Sequence, residues 1–198
     1  MMKNYKLAVV IASLTLAVPA AFAQSTNTPA EQKIEQRMDN QQQRIGNGVE
    51  NGALTAGEAA RIEKREANLN REVNRMEKDG NLSPREQRII NRQQNALSHN
   101  IYNQKHDAQV QPRANNEVNA RQRMQQERIG QGIKSGSLTA GEAAHLEHNE
   151  ARINREVRGM RAENGGTLTA GERARVNHQQ NVMSRHIYAK KHNGRVQR

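Results

Sequence analysis

The sequence predicts an all-α protein that consists of two tandem antiparallel three-helix units. One short phrase, Leu-(Thr/Ser)-x-x-Glu, recurs four times, each time two residues after a glycine. Such a glycine can end one helix in the left-handed conformation, and the Ser or Thr with the Glu three residues later can form a capping box for the next helix. Residues 44–76 are also identical to residues 128–160 at 20 of 33 positions. The four copies of the phrase occupy residues 54–58, 82–86, 138–142 and 168–172.

The beginning of the chain has the pattern of a secretory signal peptide. Lys3 and Lys6 precede an apolar run at 7–18, and small residues end this segment at Ala23. We expect cleavage after Ala23, a flexible stretch at 24–28, and a periplasmic or secreted protein without a transmembrane anchor. The chain has no cysteine, which excludes disulfides, a lipid-anchored lipoprotein and a thiol nucleophile.

Three helices are predicted in the first unit, residues 29–107. The first begins at Pro29, which follows the capping residue Thr28, and ends at Gly52. The second covers about 55–78 and the third about 83–106. Apolar residues recur in each helix at intervals of three, four or seven, which places them on one face. These predicted core residues are Ile34, Met38, Ile45, Val49, Ile62, Leu69, Val73, Met76, Ile90, Leu97 and Ile101.

The second unit repeats the first. Residues 108–115 are polar and contain a proline, which indicates a linker. Residues 116–193 then form the second helical repeat, in which 168–193 match 82–107 at 11 of 26 positions, and 194–198 form a basic tail. This arrangement indicates duplication of a unit that we expect to fold by itself.

Degenerate EF-hand-like helix-loop-helix pairs are an alternative fold. The corner at 79–86 resembles the second half of a calcium loop, with Gly80 at the turn and Glu86 at the closing ligand position. An EF-hand also needs oxygen ligands at the first, third and fifth loop positions, and none of the four corners has an acidic first ligand. We therefore interpret these glutamates mainly as capping residues.

A positive charge is the main functional signal. After removal of the predicted signal peptide with its two lysines, the chain has 29 Lys and Arg residues and 20 Asp and Glu residues, which gives a net charge of +9. Part of this charge is interleaved with Glu at helical spacings, as on an ordinary soluble surface. No Asp or Glu follows Glu172, so the C-terminal end is the predicted anion-binding patch. Its residues are Arg185, Lys190, Lys191, Arg195 and Arg198.

Two further sets of residues are candidates for binding. One is a possible divalent-metal site, because His145 and His148 lie one helical turn apart and Asp79 and Glu86 belong to the EF-hand-like corner. The other is a repeat-shared surface near the end of each third helix. There, the tyrosines can seal the bundle ends or form a small polar binding surface. The repeat-shared residues are Tyr102, Lys105, His106, Tyr188, Lys191 and His192.

Segments 101–106 and 187–192 share the pattern Ile-Tyr-x-x-Lys-His. Together with the Gly-x-Leu-Thr-x-x-Glu phrases, they resemble the uncharacterised secreted bacterial proteins built from tandem helical units of this kind. The resemblance covers residues 36–193 and implies no particular activity.

The sequence favours a non-enzymatic protein. No cofactor motif, phosphate loop or paired catalytic carboxylates are present, and a helical chain with so few aromatic residues is poorly suited to enclose a dry pocket. We expect a binding or scaffold module for an anionic cell-envelope polymer, a lipid head group or an acidic protein, and we do not expect nucleic acid as a partner. A periplasmic divalent-metal-binding protein is the alternative.

Overall fold

A computed structural model describes residues 28–111 and 116–197. The predicted signal peptide with its cleavage site, residues 112–115 of the linker, and Arg198 lie outside the described residues. Within them the chain forms six α-helices and no strand, which confirms the all-α class. None of these helices is both long and apolar enough to cross a lipid bilayer. The helices are α1 (Pro29–Asn51), α2 (Ala56–Met76), α3 (Pro84–Lys105), α4 (Glu117–Lys134), α5 (Ala140–Glu163) and α6 (Ala170–Lys191), and a 3-10 turn (Glu77–Asp79) follows α2.

The corners between helices have the predicted chemistry. Gly52 ends α1 with a φ of 80°, and Gly80 ends the 3-10 turn with a φ of 96°, both in the left-handed region. At the start of α3, the Ser83 backbone N–H donates to Glu86 Oε2 at 2.9 Å, and the Glu86 N–H donates to Ser83 Oγ at 3.3 Å. Capping boxes also begin the helices that follow Thr28, Thr139 and Thr169.

The predicted aliphatic stripes form the core. Ile45, Ile62, Ile90 and Ile101 are fully buried, and of the predicted core residues only Met76 is partly exposed. Buried aliphatic residues of both repeats belong to one continuous cluster. The core therefore runs through the whole described chain.

The most extensive helix contacts join the two repeats, α1 to α4 and α2 to α5. Helices α1 and α4 cross at Gly46 and Gly130, which occupy the same position in the two repeats. A Cβ atom added to either glycine would lie 2.8 Å from the carbonyl oxygen of the other. Glu50 and Lys134, which are also repeat-equivalent, form an ion pair beside this crossing. An approximate two-fold relation between the repeats explains why equivalent positions meet.

This packing bears on the expectation that the two units fold separately. In each repeat, the third helix packs on the first two, as a three-helix unit requires. The larger contacts nevertheless run between repeats, and separating the repeats would expose the α1–α4 and α2–α5 faces to water. The contact pattern therefore favours one six-helix core, and the separate folding of 29–107 and 116–193 stays a prediction.

Buried glutamines connect the third helix of each repeat to the first. Gln41 Nε2 donates to the Gln94 carbonyl oxygen and to Ser98 Oγ, both at 2.8 Å. Gln125 makes the equivalent bonds from α4 to α6. The Nε2 atoms thereby satisfy buried acceptors at the centre of each repeat, whereas the Oε1 atoms of Gln41 and Gln125 have no hydrogen-bond partner within the described residues. Part of the protein interior therefore consists of glutamine side-chain amides.

The segments after α3 and α6 dock back onto the core. The Gln111 backbone N–H donates to the Gly52 carbonyl oxygen at 3.1 Å, and its Nε2 donates to Gln126 Oε1 at 2.8 Å. Gln197 occupies the equivalent place, and its backbone N–H donates to the Gly136 carbonyl oxygen at 2.9 Å. The ends of the predicted linker and basic tail are therefore packed against the helix corners.

Candidate anion-binding groove

A shallow groove follows the outer side of the α2–α5 pair. Its floor consists of small residues, Gly57, Ala60, Ala144 and Ala151. A Cβ atom placed on Gly57 would lie 4.0 Å from the Cβ of Ala151, which is ordinary contact distance. Because these residues are small, the two helices lie close together and the longer side chains stand along the sides of the groove.

Basic side chains line this groove, which we call the basic groove. Arg61 and Lys64 come from α2, whereas His145, His148 and Arg155 come from α5. His145 is the repeat equivalent of Arg61, and His148 is the equivalent of Lys64. The approximate two-fold relation therefore brings the two copies of one basic helix face together.

The basic groove continues into an end pocket of about 260 Å³ at the start of α2. Arg61 and Arg155 line both, and Arg158 and Arg161 extend the positive charge along α5. The first turn of α2 closes one side of the pocket, and Gln122 of α4 lies in its wall.

No Asp or Glu lines either the basic groove or the end pocket. Within residues 28–111 and 116–197, no carboxylate lies at ion-pair distance from any of the seven basic residues. The seven are Arg61, Lys64, His145, His148, Arg155, Arg158 and Arg161. The positive charge of the five arginine and lysine side chains among them is therefore not cancelled by acidic side chains that line the basic groove or the end pocket.

Two of the arginines donate hydrogen bonds to neutral side-chain amides. The guanidinium of Arg161 donates to Asn119 Oδ1 and to Asn116 Oδ1, both at 3.1 Å. Arg61 donates to Gln104 Oε1 at 3.3 Å. An amide oxygen orients a guanidinium without neutralising it, so both arginines keep their full charge for a ligand.

Six glutamates are buried on α2 and α5, and four of them have a raised pKa. Burial raises the pKa of Glu66 to about 7 and that of Glu147 and Glu150 to about 8. Burial, with the nearby charges of Glu66 and Glu147, also raises the pKa of Glu63 well above its usual value. Glu147 and Glu150 are therefore mostly protonated at neutral pH and Glu66 is partly protonated, so they remove less positive potential from the basic groove than ordinary glutamates would.

The predicted C-terminal patch is partly engaged within the fold. Lys190 lies 3.7 Å from a Glu142 carboxylate oxygen, and the Lys191 ammonium donates to the Arg128 carbonyl oxygen at 3.2 Å. Arg185 and Arg195 are exposed. Arg198 lies outside the described residues.

The repeat-shared tyrosines do not seal the bundle ends. Tyr102 and Tyr188 are 55% and 61% exposed. Each stacks on the histidine four residues later, with ring centroids 4.2 Å apart for Tyr102–His106 and 4.1 Å apart for Tyr188–His192. The prediction that these rings close the bundles is therefore wrong. Lys105 and Lys191 instead pack beside Gly48 and Gly132, the equivalent glycines of α1 and α4.

The residues considered for a metal site are separated. His145 and His148 line the basic groove, where positive neighbours oppose a metal cation, and Glu86 serves as a capping residue. Asp79 Oδ1 lies 3.5 Å from the Asn81 backbone nitrogen. Within the parts of the chain that the structure describes, no group of three or more His, Asp or Glu side chains is placed to hold a metal ion.

Comparison of the chain with protein-family models, with curated proteins and with solved structures gives no match. The basic groove is therefore the main guide to function. Sequence reasoning noted the arginines of α2 and α5 as part of a dispersed charge. It did not place them together, because the α2–α5 contact joins residues about 90 positions apart.

Proposed function

We propose that this protein is a non-enzymatic binding module that holds an anionic polymer of the cell envelope in the basic groove. The observation that carries the proposal is the set of seven basic side chains along a groove without acidic residues. Positive charge at a concave surface attracts polyanions and raises their local concentration. The location outside the cytoplasm rests on the signal-peptide pattern in the sequence.

The length of the positively charged surface supports an extended ligand. From His145 to Arg161 along α5 is 16 residues, or about 24 Å at 1.5 Å per residue. A surface of this length accommodates several successive charges of a linear polymer. The small residues of its floor leave space for the polymer backbone.

The type of side chain in the basic groove supports binding over catalysis. Guanidinium, ammonium and amide groups donate hydrogen bonds and supply positive charge. A divalent-metal function is the weaker alternative, because the two candidate histidines lie among three other basic side chains.

The test compares two triple variants for binding to linear polyphosphate by fluorescence anisotropy at two salt concentrations. The groove variant carries Lys64→Gln, Arg155→Gln and Arg158→Gln. The matched control carries Arg85→Gln, Arg88→Gln and Arg92→Gln, three exposed positions on α3 that line a separate surface depression, also without acidic residues. Both variants lose three positive charges, so they differ only in where the charge is lost.

We expect the groove variant to bind about 10-fold to 100-fold more weakly, since each contact to the polymer is worth about 0.5–1 kcal/mol. Its affinity should also depend less on salt, because fewer counterions are released. The control should lose less than about threefold, an effect of net charge alone. Equal losses in the two variants would show that binding follows net charge and not the basic groove.

A further inference from the structure

We infer that the end pocket is a binding site for a phosphoryl group, either free phosphate or a phosphate monoester carried by the polymer. This inference rests on the proposed function, because the pocket continues the basic groove. The inference adds to that function the chemical group that binds at one defined subsite.

The first observation is the set of donors around the pocket. Arg155, Arg158 and Arg161 extend from α5, and the wall opposite is the first turn of α2, at Ala56 and Gly57. The first backbone N–H groups of a helix have no partner within the helix and point toward a bound anion. Arginine binds phosphate oxygens through two parallel hydrogen bonds.

The second observation is an unpartnered donor in the wall of the pocket. Gln122 is only 5% exposed, and its Nε2 atom has no hydrogen-bond partner in the described structure. Leaving a buried amide donor without an acceptor costs about 1–3 kcal/mol. This Nε2 atom is itself shielded from solvent, so a half-turn of the side-chain amide must bring its N–H into the pocket, where an oxyanion then supplies the missing acceptor.

The second repeat provides an internal comparison at the start of α5. There, the backbone N–H of Ala140 donates to Gln197 Oε1 at 2.8 Å, so a side chain of the protein already occupies the helix terminus. Of the other donors, Arg155 recurs as Arg71, but three positions differ. The repeat equivalents of Gln122, Arg158 and Arg161 are Met38, Asn74 and Glu77.

This difference indicates that the donor set belongs to one corner only. Glu77 would repel an anion at the equivalent place, and the Met38 side chain has no hydrogen-bond donor. A helix corner of this kind therefore forms without these arginines, so folding of the corner does not explain their presence. The cavity of about 260 Å³ is larger than one phosphate ion and leaves space for part of the group that carries it.

Isothermal titration of the full chain with inorganic phosphate, and separately with glycerol phosphate, tests the inference at low salt. The variants are Gln122→Met and Arg158→Asn, which introduce the residues that the other repeat carries at these positions. Gln122→Met leaves the net charge unchanged. Arg88→Asn is the matched control for Arg158→Asn, since it removes one charge from an exposed position on α3.

We expect saturable one-to-one binding of phosphate, weakened about 10-fold by each pocket variant and less than about twofold by Arg88→Asn. Binding of both ligands identifies a terminal phosphate monoester as an acceptable ligand, whereas binding of phosphate alone identifies the free ion. Circular dichroism melting of each variant shows whether it is folded.

Absence of saturable phosphate binding, or equal losses in Gln122→Met, Arg158→Asn and Arg88→Asn, would overturn the inference. The polyphosphate comparison shares Arg155 and Arg158 with the pocket but measures a different ligand, so the two outcomes can be distinguished. Polyphosphate binding that depends on the basic groove, combined with no phosphate binding, would refute the pocket and leave the proposed function intact.

Discussion

Individual glycines determine how closely the repeats approach. Gly46 and Gly130 are interior helix positions, where glycine lowers helix stability relative to alanine by about 0.5–1 kcal/mol. Their backbones meet at the α1–α4 crossing, where a Cβ atom on Gly46 would lie 2.8 Å from the Gly130 carbonyl oxygen. The close crossing therefore offsets a local cost in helix propensity.

Gly46→Ala should destabilise the protein by about 2 kcal/mol or more, because the clash is with backbone and forces α1 and α4 apart. Gly159→Ala in α5 is the matched control, since a Cβ atom there meets nothing within 4 Å. The control should raise stability by about 0.5–1 kcal/mol. Urea unfolding measures both. Similar stability changes in the two variants would contradict the role of the crossing.

The buried glutamates give the stability a definite dependence on pH. Their pKa values are raised, so between about pH 4.5 and 8 the folded protein holds more protons than the unfolded chain, and its stability falls as the pH rises. The capping carboxyls of Glu86 and Glu172 have lowered pKa values because they accept hydrogen bonds from Ser83 and Thr169. Their contribution is lost as the pH falls below about 4.5. The stability maximum therefore lies on the mildly acidic side of neutral.

The melting temperature should fall by at least about 5 °C between pH 5.5 and pH 8.5, since Glu66 alone loses about 2 kcal/mol over this range. Gln42 Nε2 lies 3.4 Å from Glu63 Oε2, and Gln126 Nε2 lies 2.9 Å from Glu147 Oε2, but these hydrogen bonds only partly offset the effect of burial on the pKa of the carboxyls.

The double variant Glu66→Gln, Glu150→Gln replaces two titrating groups with neutral side chains of similar size. It should have a flatter stability profile and melt above the wild type at pH 8.5. Calorimetry across this pH range measures both profiles. Parallel profiles for the two proteins would show that these carboxyls are not the groups responsible.

At the scale of helices, the sequence was informative because each corner is built from neighbouring residues. A glycine, a capping Ser or Thr and a Glu three residues later are sufficient to place the start of α3, and Pro29 with Thr28 is sufficient for α1. The aliphatic stripes were equally clear. Local chemistry and helical periodicity therefore predicted the limits of α1, α2 and α3 to within about two residues.

The basic groove could not be predicted in the same way. The residues of the basic groove and the end pocket, such as Arg61, Gln122 and Arg158, belong to three helices. Nothing in the local sequence shows that α2 packs against α5. Buried Glu66 and Glu150 likewise follow ordinary helix-surface patterns. The available signal was the repeat itself, because equivalent positions such as Arg61 and His145 meet when repeated units pair symmetrically.

At the scale of the whole molecule, duplication has produced one folded body with two different halves. The Glu50–Lys134 ion pair illustrates the difference, because identical halves would place two like charges at this crossing. The end pocket illustrates it again, with Arg161 on one side of the pseudo-symmetry and Glu77 on the other.

Separate fragments 24–111 and 112–198 should each show little cooperative melting, whereas an equimolar mixture should form a heterodimer with restored helicity. The shared core and the Glu50–Lys134 pair favour this combination over either homodimer. Circular dichroism and analytical ultracentrifugation measure the outcome. Two fragments that melt cooperatively as monomers would support the independent units expected from the sequence.

The most direct test of the proposed function is an NMR titration of the ¹⁵N-labelled full chain with linear polyphosphate, following backbone amides and arginine Nε–H signals. Binding in the basic groove predicts that shifts concentrate at 55–64 and 144–161, including Arg61, Arg155 and Arg158. Shifts confined to the C-terminal residues 185–197, or spread evenly over all exposed cations, would contradict a binding site between α2 and α5.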